Sequence, residues 1–152
     1  LMFKNIYKNR KVLVTANTGF KGSWLITWLE KLGANVVGIS KEIPTNPSMF
    51  KELSLQDKIN YYQEDIRDLD KMLEIISNEK PEFLFHLAAQ SIVSTSYTDP
   101  IETISSNVIG TANILESIKI SNHKSEIIDN SDHRVPCNTI KILLYIKDNK
   151  EL

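Results

Sequence analysis

Residues 11–33, KVLVTANTGFKGSWLITWLEKLG, constrain the fold more than any other stretch of the chain. The aliphatic run Val12 to Val14 is typical of a strand buried on both faces. A turn rich in small residues follows, and apolar residues then recur at helical spacing up to Gly33, which stands in a C-terminal cap position. A strand, a glycine turn and a helix in this order form a phosphate site, because the turn exposes backbone N–H groups and the helix N-terminus adds partial positive charge. The alternative is a glycine turn that only packs the helix against the strand.

Length and composition fit one soluble domain. The chain has 152 residues, of which 41% are hydrophobic and 24% are charged, enough to bury a core. A formal net charge of -1 favours neither a nucleic acid nor an anionic membrane as partner. No apolar run approaches the ~20 residues of a membrane helix, and the first residues lack the features of a secretory signal. The single Cys137 predicts a reducing, cytoplasmic setting, and because it lacks the spacing of a metal ligand, no metal site is predicted.

Strand and helix patterns alternate along most of the chain. Strands are predicted at residues 11–15, 35–40, 59–63 and 83–87, and helices at 22–32, 49–53, 68–78 and 100–120. Asp99 and Pro100 are typical of the start of a helix. Short connections between alternating elements predict an α/β fold with a Rossmann-like, doubly wound parallel sheet. The pattern weakens after Asn122, so the sheet is predicted to be incomplete at its C-terminal end. Two segments compete for the fifth strand, 125–136 and 139–147, and the sequence does not decide between them.

The helical spacing also predicts which side chains are buried. Trp24 and Trp28 on the first long helix are most simply interpreted as core residues. On the last helix the predicted inward residues are Ile101, Ile104, Val108, Thr111, Ile114, Leu115 and Ile118.

Five segments in one order carry a family resemblance: KVLVTANTGFKGSWL (11–25), PTNPSMF (44–50), DIRD (65–68), FHLAAQSIV (85–93) and SYTDPIETISSNVIGTANILE (96–116). With these motifs, residues 3–120 resemble the nucleotide-sugar 4,6-dehydratases of the extended short-chain dehydrogenase/reductases, and most of all the members that act on CDP-glucose. The resemblance implies conversion of CDP-glucose to CDP-4-keto-6-deoxyglucose, with NAD as a cofactor that is reduced and reoxidised within one cycle. It also implies a homodimer formed through helices that include the one holding Asn107.

Position by position, the resemblance implies three groups of cofactor-binding residues. The turn around the NAD pyrophosphate comprises Ala16, Thr18, Gly19, Phe20, Lys21 and Gly22. Asp65 and Ile66 correspond to the pair at the adenine, with Asp65 accepting a hydrogen bond from the exocyclic amine. Leu87, Ala88, Ala89 and Gln90 correspond to the loop along the nicotinamide ribose, and Asn107 supports the geometry of the site.

Three of these side chains have plainer interpretations. Asp65 could equally cap the helix that follows it, and Asn107 could be an exposed helix residue. His86, inside an apolar strand, is predicted to be a packed histidine rather than a ligand.

The phosphate turn departs from the family pattern at its first position, where Ala16 replaces a glycine. If this position needs a positive φ, a residue with a Cβ is disfavoured there by ~1–2 kcal/mol. By the tenfold-per-1.4 kcal/mol rule, NAD affinity would then fall roughly tenfold or more. The acidic residue expected for the adenosine ribose is also displaced, since Ser40 and Lys41 stand at the strand end and Glu42 is the nearest acid.

The larger departure lies beyond the fourth strand. Family members carry Thr-Ser-Asp-Lys at a strand end and then Tyr-x-x-x-Lys on a helix, where the tyrosine takes the proton from the sugar O4 as hydride leaves C4. In this part of the chain Tyr145 is followed four residues on by Asn149. An ungapped continuation places Ser131 and Asp132 on the hydroxyl and general-acid positions, and these are the predicted catalytic residues.

Two functional hypotheses follow from the sequence. The first is the NAD-binding part of a nucleotide-sugar dehydratase, with a Rossmann domain over residues 1–122 and a divergent tail over 123–152, inactive as this truncated chain. The second is a non-catalytic dinucleotide-binding module or partner subunit.

Overall fold

Five parallel strands form one sheet in the computed structural model, which describes residues 5–121 and 125–129. The strand order is β3-β2-β1-β4-β5, with the bounds Lys11–Thr15 (β1), Asn35–Ile39 (β2), Asn60–Tyr62 (β3), Phe83–His86 (β4) and Glu126–Asp129 (β5). The chain winds outward from β1 in one direction through β2 and β3, and in the other direction through β4 and β5. The predicted Rossmann-like, doubly wound sheet is therefore confirmed, and the strand bounds agree with the prediction to within one residue.

Six helices connect the strands in the described part of the chain. They are α1 (Phe20–Lys31), α2 (Met49–Glu52), α3 (Leu69–Glu79), α4 (Val93–Thr98), α5 (Pro100–Ile104) and α6 (Gly110–Ser121). A 3-10 turn covers Leu55–Asp57, and a π-helical turn, Ser105–Ile109, joins α5 to α6. The side chains of Ser48, Asp68 and Asp99 each accept the backbone N–H three residues ahead, so these residues cap α2, α3 and α5.

The core lies in two layers because the central strand is buried on both faces. Leu13 packs with α3 and α6 on one face, while Val12 and Val14 pack with α1 and α2 on the other. All three side chains are fully buried. This alternation is what the aliphatic run of β1 predicts for a strand covered on both sides.

The prediction that Trp24 and Trp28 are core residues is wrong. Their exposed fractions are 57% and 43%. The side of α1 that faces the sheet carries Gly22, Ser23, Ile26 and Leu29 instead. Since successive helix residues are 100° apart, Trp24 lies about 200° around the axis from Gly22, on the outer side of α1.

The prediction of inward residues on the last helix is also wrong at three positions. Ile101, Ile104 and Val108 are exposed, whereas Ile114 and Ile118 are buried as predicted. The reason is the π-helical turn between α5 and α6. A π turn holds one residue more than an α turn, so the residues before and after it do not share one face at 3.6-residue spacing.

The fifth strand is formed by Glu126–Asp129, which pairs in parallel with β4 from Phe83 to His86. This settles the choice between the two competing segments for the position next to β4. The other segment, 139–147, and the predicted catalytic residues Ser131 and Asp132 lie outside the described residues. Among the helices of the described ranges, none has the length and apolar character needed to cross a membrane.

Candidate functional site

Three loops meet at the carboxyl ends of β1, β3 and β4, and together with one helix residue they contain all the predicted cofactor-binding residues. The glycine turn, 16–22, follows β1, residues 65–66 lie in the loop after β3, and 87–90 follow β4. Asn107 reaches the third loop from the π-helical turn. In open parallel sheets, ligands bind beyond the carboxyl ends of the strands where the winding direction reverses, which here is between β1 and β4.

Two glycines of the turn have different reasons to be glycine. A Cβ at Gly22 would lie 2.7 Å from the Cα of Asn17 and overlap the carbonyl of Ala16, so packing of α1 on the turn excludes a side chain there. At Gly19, which precedes α1 with a φ of -70°, the nearest atom to an added Cβ is the Ala16 oxygen at 3.5 Å, an ordinary contact. The protein itself therefore does not require a glycine at position 19. A glycine there does let a phosphate approach the backbone at the start of α1.

Ala16 has a φ of 54°, in the left-handed region. The positive φ considered from the sequence is thus present in this turn. Because the folded chain itself holds this conformation, we assign the ~1–2 kcal/mol of strain to folding stability rather than to the binding step.

The turn is tied to the end of β2 by side-chain hydrogen bonds. The Ser40 hydroxyl donates to Oδ1 of Asn17 at 2.7 Å and accepts the backbone N–H of Thr18 at 3.2 Å. The Thr18 hydroxyl donates to the carbonyl oxygen of Glu42 at 2.6 Å. The polar groups at the end of β2 thus fix the glycine turn.

Asp65 lies after β3, and its carboxylate is held by Arg67. The guanidinium Nε is 3.0 Å from both carboxylate oxygens, and Nη2 is 2.6 Å from Oδ2. The hydrogen bonds from Arg67 hold the pKa of Asp65 below its usual range, against the opposing effect of partial burial. The capping alternative for Asp65 is wrong, because Asp68 caps α3.

Two further contacts fix the loop after β3. Arg67 also binds Glu102 and the Ser105 hydroxyl, so it links this loop to α5 and the π-helical turn. Asn113 on α6 donates to the carbonyl oxygens of Ile66 at 3.1 Å and Arg67 at 2.7 Å. The Ile66 side chain is buried in the core, so only its backbone can face a ligand.

The loop after β4 is held at both ends. The hydroxyl of Thr15 accepts the backbone N–H groups of Leu87 and Ala88, both at 3.0 Å. At the other end, Oδ1 of Asn107 accepts the N–H of Gln90 at 2.7 Å, and its Nδ2 donates to the Gln90 carbonyl at 3.0 Å. The alternative that Asn107 is merely an exposed helix residue is therefore wrong.

His86 is buried between two threonine hydroxyls. Its Nδ1 lies 2.9 Å from Oγ1 of Thr15, and its Nε2 lies 3.0 Å from Oγ1 of Thr111. Burial lowers the pKa of His86 to about 4, so the ring is neutral at pH 7. It is packed, as the apolar strand predicts, and it also has two polar partners.

Sequence reasoning missed four residues that shape the site: Thr15, Arg67, Thr111 and Asn113. Thr111 had a detectable signal, because it follows Asn107 by four residues and therefore lies on the same side of the helix. Arg67 follows Asp65 by two, a spacing at which an aspartate commonly accepts a backbone N–H. For Thr15 and Asn113 the partners are more than 45 residues away in sequence, so no local pattern reveals them.

Tyr7 and Lys11 have the Tyr-x-x-x-Lys spacing but not the place of the family's catalytic pair. The ring of Tyr7 packs edge-on against Phe83 at 5.1 Å, and Nζ of Lys11 donates to Glu79 at 2.8 Å. Lys11 begins β1, so the pair lies at the amino ends of the strands, whereas the glycine turn lies at their carboxyl ends.

The outer side of α1 forms a shallow groove of about 450 Å³, lined by Trp24, Leu25, Thr27, Trp28 and Lys31. The lining is largely apolar. The groove lies along α1, separate from the loops at the carboxyl ends of the strands, and contains none of the predicted cofactor-binding residues.

Comparison with known proteins accounts for this arrangement. A family model described as GDP-mannose 4,6 dehydratase matches residues 13–132. The chain belongs to this family. Over 130 residues it is 45% identical to CDP-glucose 4,6-dehydratase of Salmonella typhimurium, an alignment that covers 85% of this chain and 36% of the relative. The resemblance seen in the motifs is thus confirmed.

Solved structures show the same fold. The UDP-glucose 4-epimerase of Thermotoga maritima, solved with UDP-glucose, has a TM-score of 0.71 at 30% identity over 80% of this chain and 37% of its own. The UDP-glucose 4-epimerase of Thermus thermophilus, solved in complex with NAD, has a TM-score of 0.66 at 26% identity over 74% of this chain and 35% of its own. The chain therefore spans little more than a third of the length of these proteins.

Proposed function

We propose that this chain is the NAD-binding part of a CDP-glucose 4,6-dehydratase. The observation that carries the proposal is Gly19, a glycine at the N-terminus of α1 that the packing of the chain does not require. A second support is the 45% identity to the Salmonella typhimurium enzyme of that name. In the whole protein the reaction would convert CDP-glucose to CDP-4-keto-6-deoxyglucose.

The residues of the site fit NAD. The backbone N–H groups of the turn from Thr18 to Gly22 would hold the pyrophosphate, with the partial positive charge of the α1 N-terminus. Asp65 would accept a hydrogen bond from the adenine amine while Arg67 keeps its carboxylate ionised and oriented. The loop from Leu87 to Gln90, fixed by Thr15 and Asn107, would lie along the nicotinamide ribose. When bound, NAD would accept and return the hydride of the sugar.

The chain by itself is proposed to bind the dinucleotide without turnover. The residues after β4 in this sequence contain no Tyr-x-x-x-Lys pair, and Ser131 and Asp132 are proposed to hold the hydroxyl and general-acid positions of the whole protein's reaction. A non-catalytic dinucleotide-binding module or partner subunit would share this binding behaviour.

Titration calorimetry with NAD and NADH, followed by an assay of CDP-glucose conversion, tests both parts. We expect micromolar binding and no 4-keto product. Product formation at a measurable rate would overturn the proposed inactivity. Absence of any dinucleotide binding would overturn the proposed function itself, and binding that is unchanged in the Gly19→Ala variant would remove its main support.

The proposal includes a homodimer formed through the outer side of the segment 92–109. This surface carries seven exposed apolar side chains in the described structure: Ile92, Val93, Tyr97, Ile101, Ile104, Val108 and Ile109. Contiguous apolar patches on a protein surface commonly mark interaction sites. The cytoplasm is the proposed compartment, on the grounds of the single cysteine.

A further inference from the structure

His86 lies at the middle of a continuous chain of hydrogen bonds that joins the two ends of the loop 87–90. On one side, Thr15 contacts Nδ1 of His86 and the backbone N–H groups of Leu87 and Ala88. On the other side, Thr111 contacts Nε2 of His86 and the carbonyl oxygen of Asn107. The side chain of Asn107 in turn holds both backbone groups of Gln90.

The donor and the acceptor of each hydrogen bond from Thr15 through His86 to Thr111 can be assigned. The Thr15 oxygen accepts two N–H groups, which occupy both of its lone pairs, so its single hydrogen must go to Nδ1 of His86. Nδ1 is therefore an acceptor, and the neutral ring carries its proton on Nε2. That proton is donated to Thr111, whose own hydrogen goes to the Asn107 carbonyl at 2.7 Å. Only one tautomer satisfies all these groups.

We propose that His86, as the Nε2–H tautomer, is a positioning residue that fixes the loop 87–90 for the nicotinamide ribose of the dinucleotide. This inference rests on the proposed function, since it concerns the same site. His86 itself is buried and acts through Thr15 and Asn107 rather than by touching the ligand. We expect its influence to be confined to this loop, because Ser40 fixes the turn 16–22 and Asn113 fixes the backbone at Ile66.

The test separates the two halves of the ligand. NADH reaches the loop 87–90, whereas ADP fills only the adenine and pyrophosphate positions. Thr111→Val keeps the shape of the side chain and removes the hydroxyl that pairs with His86, while Thr111→Ser restores the hydroxyl. We expect Thr111→Val to weaken NADH binding about tenfold, with ADP binding unchanged and with recovery in Thr111→Ser. A uniform loss for both ligands, or no loss for either, would overturn the inference.

A second measurement uses the unaltered protein. Two-bond correlations between ring protons and ring nitrogens report the tautomer of a histidine, and we expect the Nε2–H form for His86. The Nδ1–H form would overturn the inference even if the variants do not fold. Failure of the unaltered chain to bind either ligand would instead count against the proposed function, and the tautomer would still decide whether His86 orders these hydrogen bonds.

Discussion

Arg67 donates hydrogen bonds to both carboxylate oxygens of Asp65, with Nη2 at 2.6 Å from Oδ2 and Nε at 3.0 Å from Oδ1. Arg67 is also bound to Glu102, and Nζ of Lys41 lies 3.8 Å from Oδ2 of Asp65. Two cations and two carboxylates thus form one neutral cluster beside the predicted adenine position. The adenine amine would meet a carboxylate whose orientation is already set.

The pairing predicts loss of stability in acid. Because the pKa of Asp65 is lowered in the folded state, its contribution is present above the unfolded-state value of about 3.9 and is lost as the pH falls below it. Urea unfolding between about pH 3 and pH 5 should show a steeper loss in the unaltered chain than in Asp65→Asn. The exposed Asp57→Asn serves as the control, and an equal flattening in both variants would contradict this role of Asp65.

The lowered pKa of His86 predicts a further loss of folding stability in a second, higher pH range. Its folded-state pKa of about 4 lies below the unfolded-state value of about 6.5. Between these two values His86 is protonated in the unfolded chain and neutral in the folded chain. Folding stability therefore decreases as the pH falls from about 6.5 to about 4. The same unfolding measurements across this window should show a smaller decrease in His86→Gln. An identical decrease in both proteins would mean that other groups cause it.

Substitutions at Gly19 and Gly22 should separate the effect on NAD binding from the effect on folding stability. Gly19→Ala adds a Cβ that makes only an ordinary van der Waals contact with the Ala16 oxygen, so stability should change by less than about 0.5 kcal/mol while NAD binding is strongly weakened. Gly22→Ala places a Cβ against the Ala16 carbonyl and should destabilise the chain by about 1–3 kcal/mol. Thermal unfolding and NAD titration of both variants provide the measurement. A Gly19→Ala variant that binds NAD normally would contradict the assignment of the phosphate position.

Ala16→Gly should stabilise the chain. Relief of the left-handed strain contributes about 1–2 kcal/mol, and the greater freedom of glycine in the unfolded chain offsets about 0.5–1 kcal/mol of it. Lys80, the C-terminal cap of α3, has a φ of 48°, and Lys80→Gly is therefore a matched control away from the site. Both variants should unfold at higher denaturant concentration. A tenfold gain in NAD affinity for Ala16→Gly without any gain in stability would show that the strain acts on binding instead.

The proposed dimer can be tested on the exposed face of α5. Ile101→Asp combined with Ile104→Lys places opposite charges where two apolar side chains are 78% and 58% exposed. We expect a dimer of the unaltered chain in sedimentation equilibrium and a monomer of the double variant. Ile120→Lys, at an exposed position near the end of α6, should leave the dimer intact. A monomeric unaltered chain would contradict the proposal.

Much of the fold could be predicted from local sequence patterns, because buried parallel strands, glycine turns and aspartate caps each have a short-range signature. The strand β1 and the Asp99 cap of α5 are examples. The sides of α1 and α5 that are exposed to solvent could not be predicted this way. In α1, the contact of Gly22 with the preceding turn orients the helix and turns the larger Trp24 outward. In α5, a single extra residue in the following π turn changes the phase of the pattern.

The candidate site divides in the same way. Its glycine turn and the loop 87–90 were predicted as contiguous motifs. The side chains that hold them, such as Thr15 and Asn113, come from distant parts of the chain and become neighbours only when the sheet forms. Local motifs therefore predict which loops lie at the candidate site, whereas the side chains that hold those loops in place cannot be predicted from any short stretch of sequence.

The position of the two tryptophans has a practical consequence. Both indoles of the chain, Trp24 and Trp28, lie on the outer side of one helix whose first residues would hold a phosphate. Their emission therefore comes entirely from α1, and their spectrum is sensitive to the solvent around that helix. The chain thus contains an intrinsic fluorescent probe of the helix at which the proposed phosphate position lies, and tryptophan emission is a label-free signal to record during the proposed dinucleotide titration.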